Sequence, residues 1–247
     1  RIATVLEAEC TVQECLGHEG VVSSVEVNKY SQEPPKPFDL GTLQAEAYRI
    51  FGFSPSRSLR VAERLYLSAL LSYPRTSSQK IPKSVDCASI LRSLAGLTSI
   101  SARAQELVLN GRYVPTQGDR EDPAHPAIYP TGDLPESELG SDEAKLYDLV
   151  VRRFLALFGE PAFKESVKVM IQIGAHPFQL SGRRVLSEGW AKYYQPYYRT
   201  DELALPEFQV GQRLRISEIL SDEKFTSPPS RFNAASLLDL MEESSIG

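Results

Sequence analysis

Tyr73-Pro74-Arg75-Thr76-Ser77-Ser78-Gln79 concentrates the residues best able to do chemistry. A tyrosine stands two positions from an arginine, and hydroxyls follow at Thr76, Ser77 and Ser78. A free phenol with a pKa of about 10 is only about one part in a thousand ionised at neutral pH. A nearby guanidinium favours the phenolate. It also grips a phosphate through paired hydrogen bonds while charge builds in an in-line displacement. Tyrosine attack on a phosphodiester exchanges one phosphoester for another, so the step needs no external energy and reverses readily. On spacing alone a second reading stands beside this one: a buried tyrosine at a helix C-terminus followed by a polar turn.

Several elements must position these residues. The first 30 residues read as β, with Val25 and Val27 alternating with Ser24 and Glu26. The prolines of Glu33-Pro34-Pro35-Lys36-Pro37 mark a linker and a domain boundary. Asp39 caps a helix whose apolar face is Leu40, Leu43, Ala47, Ile50 and Phe51, and Gly52 ends it. Ser58 is expected to cap a second helix, which Pro74 breaks at Tyr73. Further helices are expected over residues 84–94, 102–109 and 142–158, with loop at 111–140. From Pro161 the period changes to two: Val167, Val169, Ile171 and Ile173 alternate with more polar residues. Residues 163–226 are therefore expected to be mainly strand, with turns at Ser181-Gly182 and Gln209–Gly211. After Ser227-Pro228-Pro229-Ser230 a final helix starts near Asn233 and runs to the chain end. The order β, α, β gives an α+β fold: a β-rich domain of residues 1–37 and 163–226, interrupted by a mainly helical domain of residues 38–162.

The run from Leu65-Tyr66 through Leu71-Ser72-Tyr73-Pro74-Arg75-Thr76-Ser77-Ser78-Gln79-Lys80-Ile81-Pro82 resembles the active-site segment of type IA DNA topoisomerases. Its Ser77-Ser78-Gln79 ending is similar to the archaeal branch, where bacterial members usually carry an acid in place of Ser77. Three more segments fall in that family's order. Phe38-Asp39-Leu40-Gly41-Thr42-Leu43-Gln44 resembles the lead-in to the tyrosine domain, and Ala124-His125-Pro126-Ala127-Ile128-Tyr129-Pro130-Thr131 resembles the histidine motif. Thr226-Ser227-Pro228-Pro229-Ser230-Arg231-Phe232, running into Leu237 to Gly247, resembles the return to the base of the enzyme.

The resemblance implies roles. Tyr73 would attack single-stranded DNA, forming a 5′-phosphotyrosine and releasing a 3′-hydroxyl. Arg75 would stabilise the scissile phosphate, and His125 would bond a phosphate or assist proton transfer. Lys80, Arg60, Arg64, Gln79 and Arg231 would be DNA contacts. It also implies a toroid in which the β-rich domain is the arch, the inserted winged-helix-like domain carries the tyrosine as a movable gate, and residues 227–247 begin the base. Relatives hold Mg²⁺ in an N-terminal Toprim domain whose signature includes aspartates two apart, and no two aspartates here are so spaced. The Mg²⁺ ligands are therefore expected outside this chain, with no metal site and no cofactor within it. The partners implied are single-stranded DNA and the Toprim and base parts of the enzyme. The other reading is a non-catalytic DNA-binding gate module or an architectural protein on the same scaffold.

The net charge of −5 argues against a general nucleic-acid binder when taken whole. It is uneven: residues 41–103 hold nine basic and three acidic side chains, net +6, and residues 119–148 hold two and nine, net −7. A basic segment surrounding Tyr73 thus lies inside an acidic average. The three cysteines, Cys10, Cys15 and Cys87, form no CxxC pair and fit neither a disulfide framework nor a thiolate zinc site. No apolar run approaches the roughly 20 residues of a membrane span, and no secretion signal is recognisable. A cytoplasmic, nucleoid-associated location is the expectation. A chain that starts at Arg1 and stops at Gly247, directly after a helical pattern, is expected to be the central piece of a longer protein.

Overall fold

The computed structural model describes residues 2–200, 202–244 and 246; the two chain ends, Arg1 and Gly247, lie outside the described residues. The chain divides into two compact units. One comprises Arg1–Gln32, Phe163–Ser187 and Thr200–Ser230; the other comprises Glu33–Ala162, Glu188–Arg199 and Arg231–Gly247.

The first unit opens with a helix where strand was expected. Helix α1 (Val5–Cys15) is capped by Thr4, whose side chain accepts from the Glu7 amide at 3.3 Å. Its Val5 and Leu6 are exposed and Cys15 is buried, so it lacks the broad apolar stripe that would have marked it. The Val25/Val27 alternation belongs to strand β1 (Gly20–Gln32). Strands β2 (Ala162–Ile173) and β3 (His176–Ser187) pair as an antiparallel hairpin. Its turn is at Gly174, with φ +56°, and not at Ser181-Gly182. Gly182 sits mid-strand for a different reason: a Cβ there would stand 2.4 Å from Leu205 Cγ, so the glycine admits a close crossing of the chain. The turn at Gln209–Gly211 forms as expected, with the Gln212 amide bonded to the Gln209 carbonyl at 3.0 Å. Strand β4 (Arg213–Leu214) pairs with β1, and the sheet order is β3-β2-β1-β4. Buried Glu165 is held by Arg184 at 2.7 Å. Beyond Ser187 the expected strands are largely absent.

The second unit contains the main core. Helix α2 (Leu40–Phe51) starts at Asp39 and ends at left-handed Gly52, as its sequence signals require. Helix α3 (Pro55–Leu67) starts earlier than expected, capped by Ser54 with Pro55 in the first turn. Ser58 is buried inside it and donates back to the Ser54 carbonyl. The helix also ends earlier, because Ala69 adopts φ +58°. Pro74 therefore terminates nothing, and Tyr73 lies in non-helical chain beyond the helix. Helices α4 (Cys87–Leu94), α5 (Ser101–Asn110) and α6 (Ser141–Ala156) follow. A 3₁₀ turn at Gly189–Tyr194 buries Trp190, Ala191, Tyr193 and Tyr194 in this core. These clustered aromatics have no period of two, which is why the strand reading fails there. Helix α7 (Ala234–Glu243) packs on α2. Among the described residues no helix is long and apolar enough to cross a membrane.

Candidate active site

Irregular chain from Leu70 to Ile81, bent at Pro74 where the Thr76 amide donates to the Pro74 carbonyl at 3.0 Å, forms the spine of the site. Leu71 and Pro130 form an antiparallel bridge. The Ser72 amide donates to the Tyr129 carbonyl at 2.9 Å, and the Ser72 hydroxyl donates to the Ala127 carbonyl at 3.0 Å. The Ala127 amide donates to the Lys80 carbonyl at 2.9 Å. On the N-terminal side, the Ile128 amide donates to the Phe38 carbonyl at 2.7 Å and the Leu40 amide to the Thr76 carbonyl at 3.0 Å. Three motifs far apart in sequence are thus laced together by main-chain bonds: the lead-in at 38–44, the tyrosine segment and the histidine segment.

Tyr73 is half-buried. Tyr66 meets its ring edge-on at 5.4 Å between centroids, and the His125 ring packs at 4.7 Å with a tilt of 36°. Two rings hold the phenol by contact. Its hydroxyl bonds to no described residue. The following hydroxyls divide by role. Thr76 and Ser78 are buried: Thr76 Oγ1 donates to the His125 carbonyl at 3.3 Å and accepts from the Ser78 amide at 3.0 Å, and Ser78 Oγ accepts from the Lys80 amide at 3.2 Å. Ser77 is exposed. Most of the hydroxyl cluster therefore shapes the segment.

Arg75 points outward from the spine and meets Glu63 of α3, with Nε 2.8 Å and Nη2 2.6 Å from Oε1. His125 is partly exposed, and its ring Nδ1 stands 4.0 Å from Asp122. Its amide donates to the same carboxylate at 3.3 Å. Tyr73, Arg75 and His125 are therefore brought together by one spine and its neighbour. A cavity of about 700 Å³ beside Arg75 is lined by Asp39, Gly41, Arg75, Ser77 and Arg120 together with Leu238 and Met241 of α7.

The five candidate DNA contacts are disposed differently. Arg60 and Arg231 are exposed. Lys80 pairs with Glu121 at 2.6 Å, and Arg64 with Glu143 at 3.4 Å. Gln79 is buried, and its side-chain amide donates to Asp39 at 2.9 Å, an internal role. Arg57 is held by Asp142 at 2.8 Å. The basic 41–103 segment and the acidic 119–148 segment thus face one another and partly neutralise. Their sequence separation conceals this.

Sequence reasoning missed two residues. Asp39, read as a helix cap, is also a buried junction: it accepts from the Thr42 amide at 2.8 Å, Thr42 Oγ1 at 2.6 Å, Gln79 and Arg120. Glu63, the partner of Arg75, lies twelve residues from it with no spacing signal. Among the described residues no cluster of three or more His, Cys, Asp or Glu could hold a metal ion.

The sequence profile of the DNA topoisomerase family matches residues 1–247. The chain is 46% identical over 227 residues to DNA topoisomerase 1 of Pyrococcus horikoshii, covering 92% of this chain and 33% of that protein. It is 44% identical over 236 residues to DNA topoisomerase 1 of Methanothermobacter thermautotrophicus, covering 96% and 32%. Full-length topoisomerase I of Thermotoga maritima superposes with a TM-score of 0.71 at 25% identity, over 97% of this chain and 40% of that one. The chain thus spans about a third of the length of these curated relatives. A match along the whole chain, with relatives above 40% identity, establishes that this chain belongs to the DNA topoisomerase family.

Proposed function

We propose that this chain is the tyrosine-bearing part of a type IA DNA topoisomerase that cleaves and rejoins single-stranded DNA. Tyr73 Oη attacks a backbone phosphorus and gives up its proton; the O–P bond forms as the P–O3′ bond breaks, and the released 3′-oxygen takes a proton. A 5′-phosphotyrosine and a 3′-hydroxyl result, and the reverse step reseals the strand. Arg75 supports the charge on the phosphate oxygens. His125, packed on the Tyr73 ring, steadies the phenol and binds phosphate or relays a proton. Arg60, Arg64, Lys80 and Arg231 contribute backbone contacts, with Lys80 and Arg64 first exchanging carboxylates for phosphates. Gln79 acts from inside, by fixing Asp39 beneath the spine.

One observation carries this reading: a half-buried tyrosine with an unbonded hydroxyl, set between two rings and two residues from an arginine at the edge of a cavity. A purely architectural role gives that hydroxyl nothing to do. Three acids lie at the site: Glu63 is engaged by Arg75, Asp39 by Arg120 and Gln79, and Asp122 by the His125 amide. In this proposal the Mg²⁺ that the family uses is held by acids outside this chain, and no step here runs through it. In the same proposal the first unit serves as the arch, the helical unit as the gate, and residues 227–247 lead toward the base. The Toprim and base parts are its partners, and its location is the nucleoid in the cytoplasm.

The test uses the intact protein that contains this chain and end-labelled single-stranded oligonucleotides quenched with detergent. A 3′-end label should remain on the protein, a 5′-end label should not, and Tyr73→Phe should retain neither. Retention of the 3′ label by Tyr73→Phe would remove Tyr73 as the nucleophile.

A further inference from the structure

Glu63 has no part in the cleavage step, yet it holds the arginine that does. Both Nε and Nη2 of Arg75 converge on its Oε1, at 2.8 and 2.6 Å. Those are the donors a guanidinium offers to a phosphate in a paired grip. Glu63 lies three residues before Tyr66, and positions three apart share a face of a helix. One stripe of α3 therefore braces both reacting side chains: Tyr66 meets the Tyr73 ring and Glu63 meets the Arg75 guanidinium. The two partners of the ion pair are 54% and 36% exposed, so solvent weakens it. An exposed pair of this kind is worth a factor of about five or less. It is strong enough to hold a side chain in place and weak enough for a phosphate to displace.

We infer that Glu63 is a positioning residue that occupies the phosphate-binding edge of Arg75 while no DNA is bound and yields it when a backbone phosphate arrives. The inference rests on the reading of Arg75 as a phosphate contact. Its consequence has a definite sign: removing the carboxylate charge tightens DNA binding, whereas loss of a merely structural contact weakens binding or leaves it alone.

The experiment measures binding of a fluorescent single-stranded oligonucleotide by anisotropy. It uses the intact protein carrying Tyr73→Phe, so that no cleavage intervenes. Glu63→Gln keeps the size and the acceptor oxygen and removes the charge. It should lower Kd about two- to fivefold at low salt. Glu63→Asp keeps the charge and withdraws it by one methylene, and should lie between Gln and the unchanged residue. The same substitutions on an Arg75→Ala background should leave Kd unchanged, since the coupling partner is gone. A Glu63→Gln effect that persists without Arg75 would show general charge repulsion and overturn the inference, as would unchanged or weaker binding. If Arg75→Ala alone leaves Kd unaltered, the reading of Arg75 itself fails, and that outcome is separable from the others.

Discussion

Replacing Asp39 with alanine should loosen the whole tyrosine spine, and the structure allows the cost to be worked out. Asp39 is 1% exposed and gathers four donors: the Thr42 amide, the Thr42 hydroxyl, the Gln79 side-chain amide and Arg120. Loss of the cap on α2 costs about 1 kcal/mol. Gln79 is itself buried, so its NH₂ is left without an acceptor at about 1–3 kcal/mol. Arg120 is 47% exposed and can turn to water, so its share is at most about 1 kcal/mol. Together Asp39→Ala should destabilise the helical unit by about 3 kcal/mol. Asp39→Ser keeps an oxygen for the cap but cannot reach Gln79, so it should recover about 1 kcal/mol. The assay is urea unfolding followed by intrinsic fluorescence. The single tryptophan, Trp190, is buried in the helical unit and reports on that unit. A loss below about 1 kcal/mol, or a serine variant no better than the alanine one, would mean that Asp39 does not hold this junction.

The remaining expectations concern backbone shape and burial. Ala69 holds φ +58°, which costs a residue with a Cβ about 1–2 kcal/mol, so Ala69→Gly should raise the melting temperature by a few degrees, net of about 0.5–1 kcal/mol of added chain entropy. Gly159→Ala should do the opposite, because a Cβ there would stand 2.4 Å from the Trp190 Cα; a loss of about 3 kcal/mol and a shifted Trp190 emission are expected on unfolding and spectral measurement. Burial pushes the Tyr147 phenol up to about 12, and burial likewise raises Tyr194 and Tyr197. The unfolded chain releases these protons first, so stability is complete below about pH 10 and falls as pH rises from there toward 12, by about 1.4 kcal/mol per unit for Tyr147 alone. Circular dichroism at fixed urea across that range should show it, and Tyr147→Phe should flatten the slope.

The residues proposed to do the chemistry, Tyr73, Arg75 and His125, were legible through the resemblance of their short motifs to a known family, since spacing alone left a purely structural reading of Tyr73 beside the chemical one. Helix ends were legible where one residue decides them, as at Asp39 and Gly52. They were not legible where backbone strain decides, as at Ala69, whose left-handed conformation ends α3 before Pro74 can. Helix α1 escaped notice because it exposes Val5 and Leu6, so its pattern resembles no buried face. The hairpin turn was misplaced because Gly182 reads as a turn residue, whereas its role is to let Leu205 approach. Pairings between distant segments left no local trace. The ion pairs Arg75–Glu63, Arg57–Asp142 and Lys80–Glu121 exist only because the spine and helices bring their carriers together. The charge map was thus correct residue by residue and misleading as a surface.

In the proposed reaction the Tyr73 hydroxyl becomes the covalent link to DNA. The most direct measurement is to trap the intact protein on a single-stranded oligonucleotide, digest both protein and DNA, and locate the residual nucleotide by mass spectrometry. The expected result is a 5′-phosphate adduct on the peptide containing Tyr73, with fragment ions placing the mass on its phenol. An adduct on Ser77, Tyr66 or any other side chain, in protein that still cleaves, would contradict it.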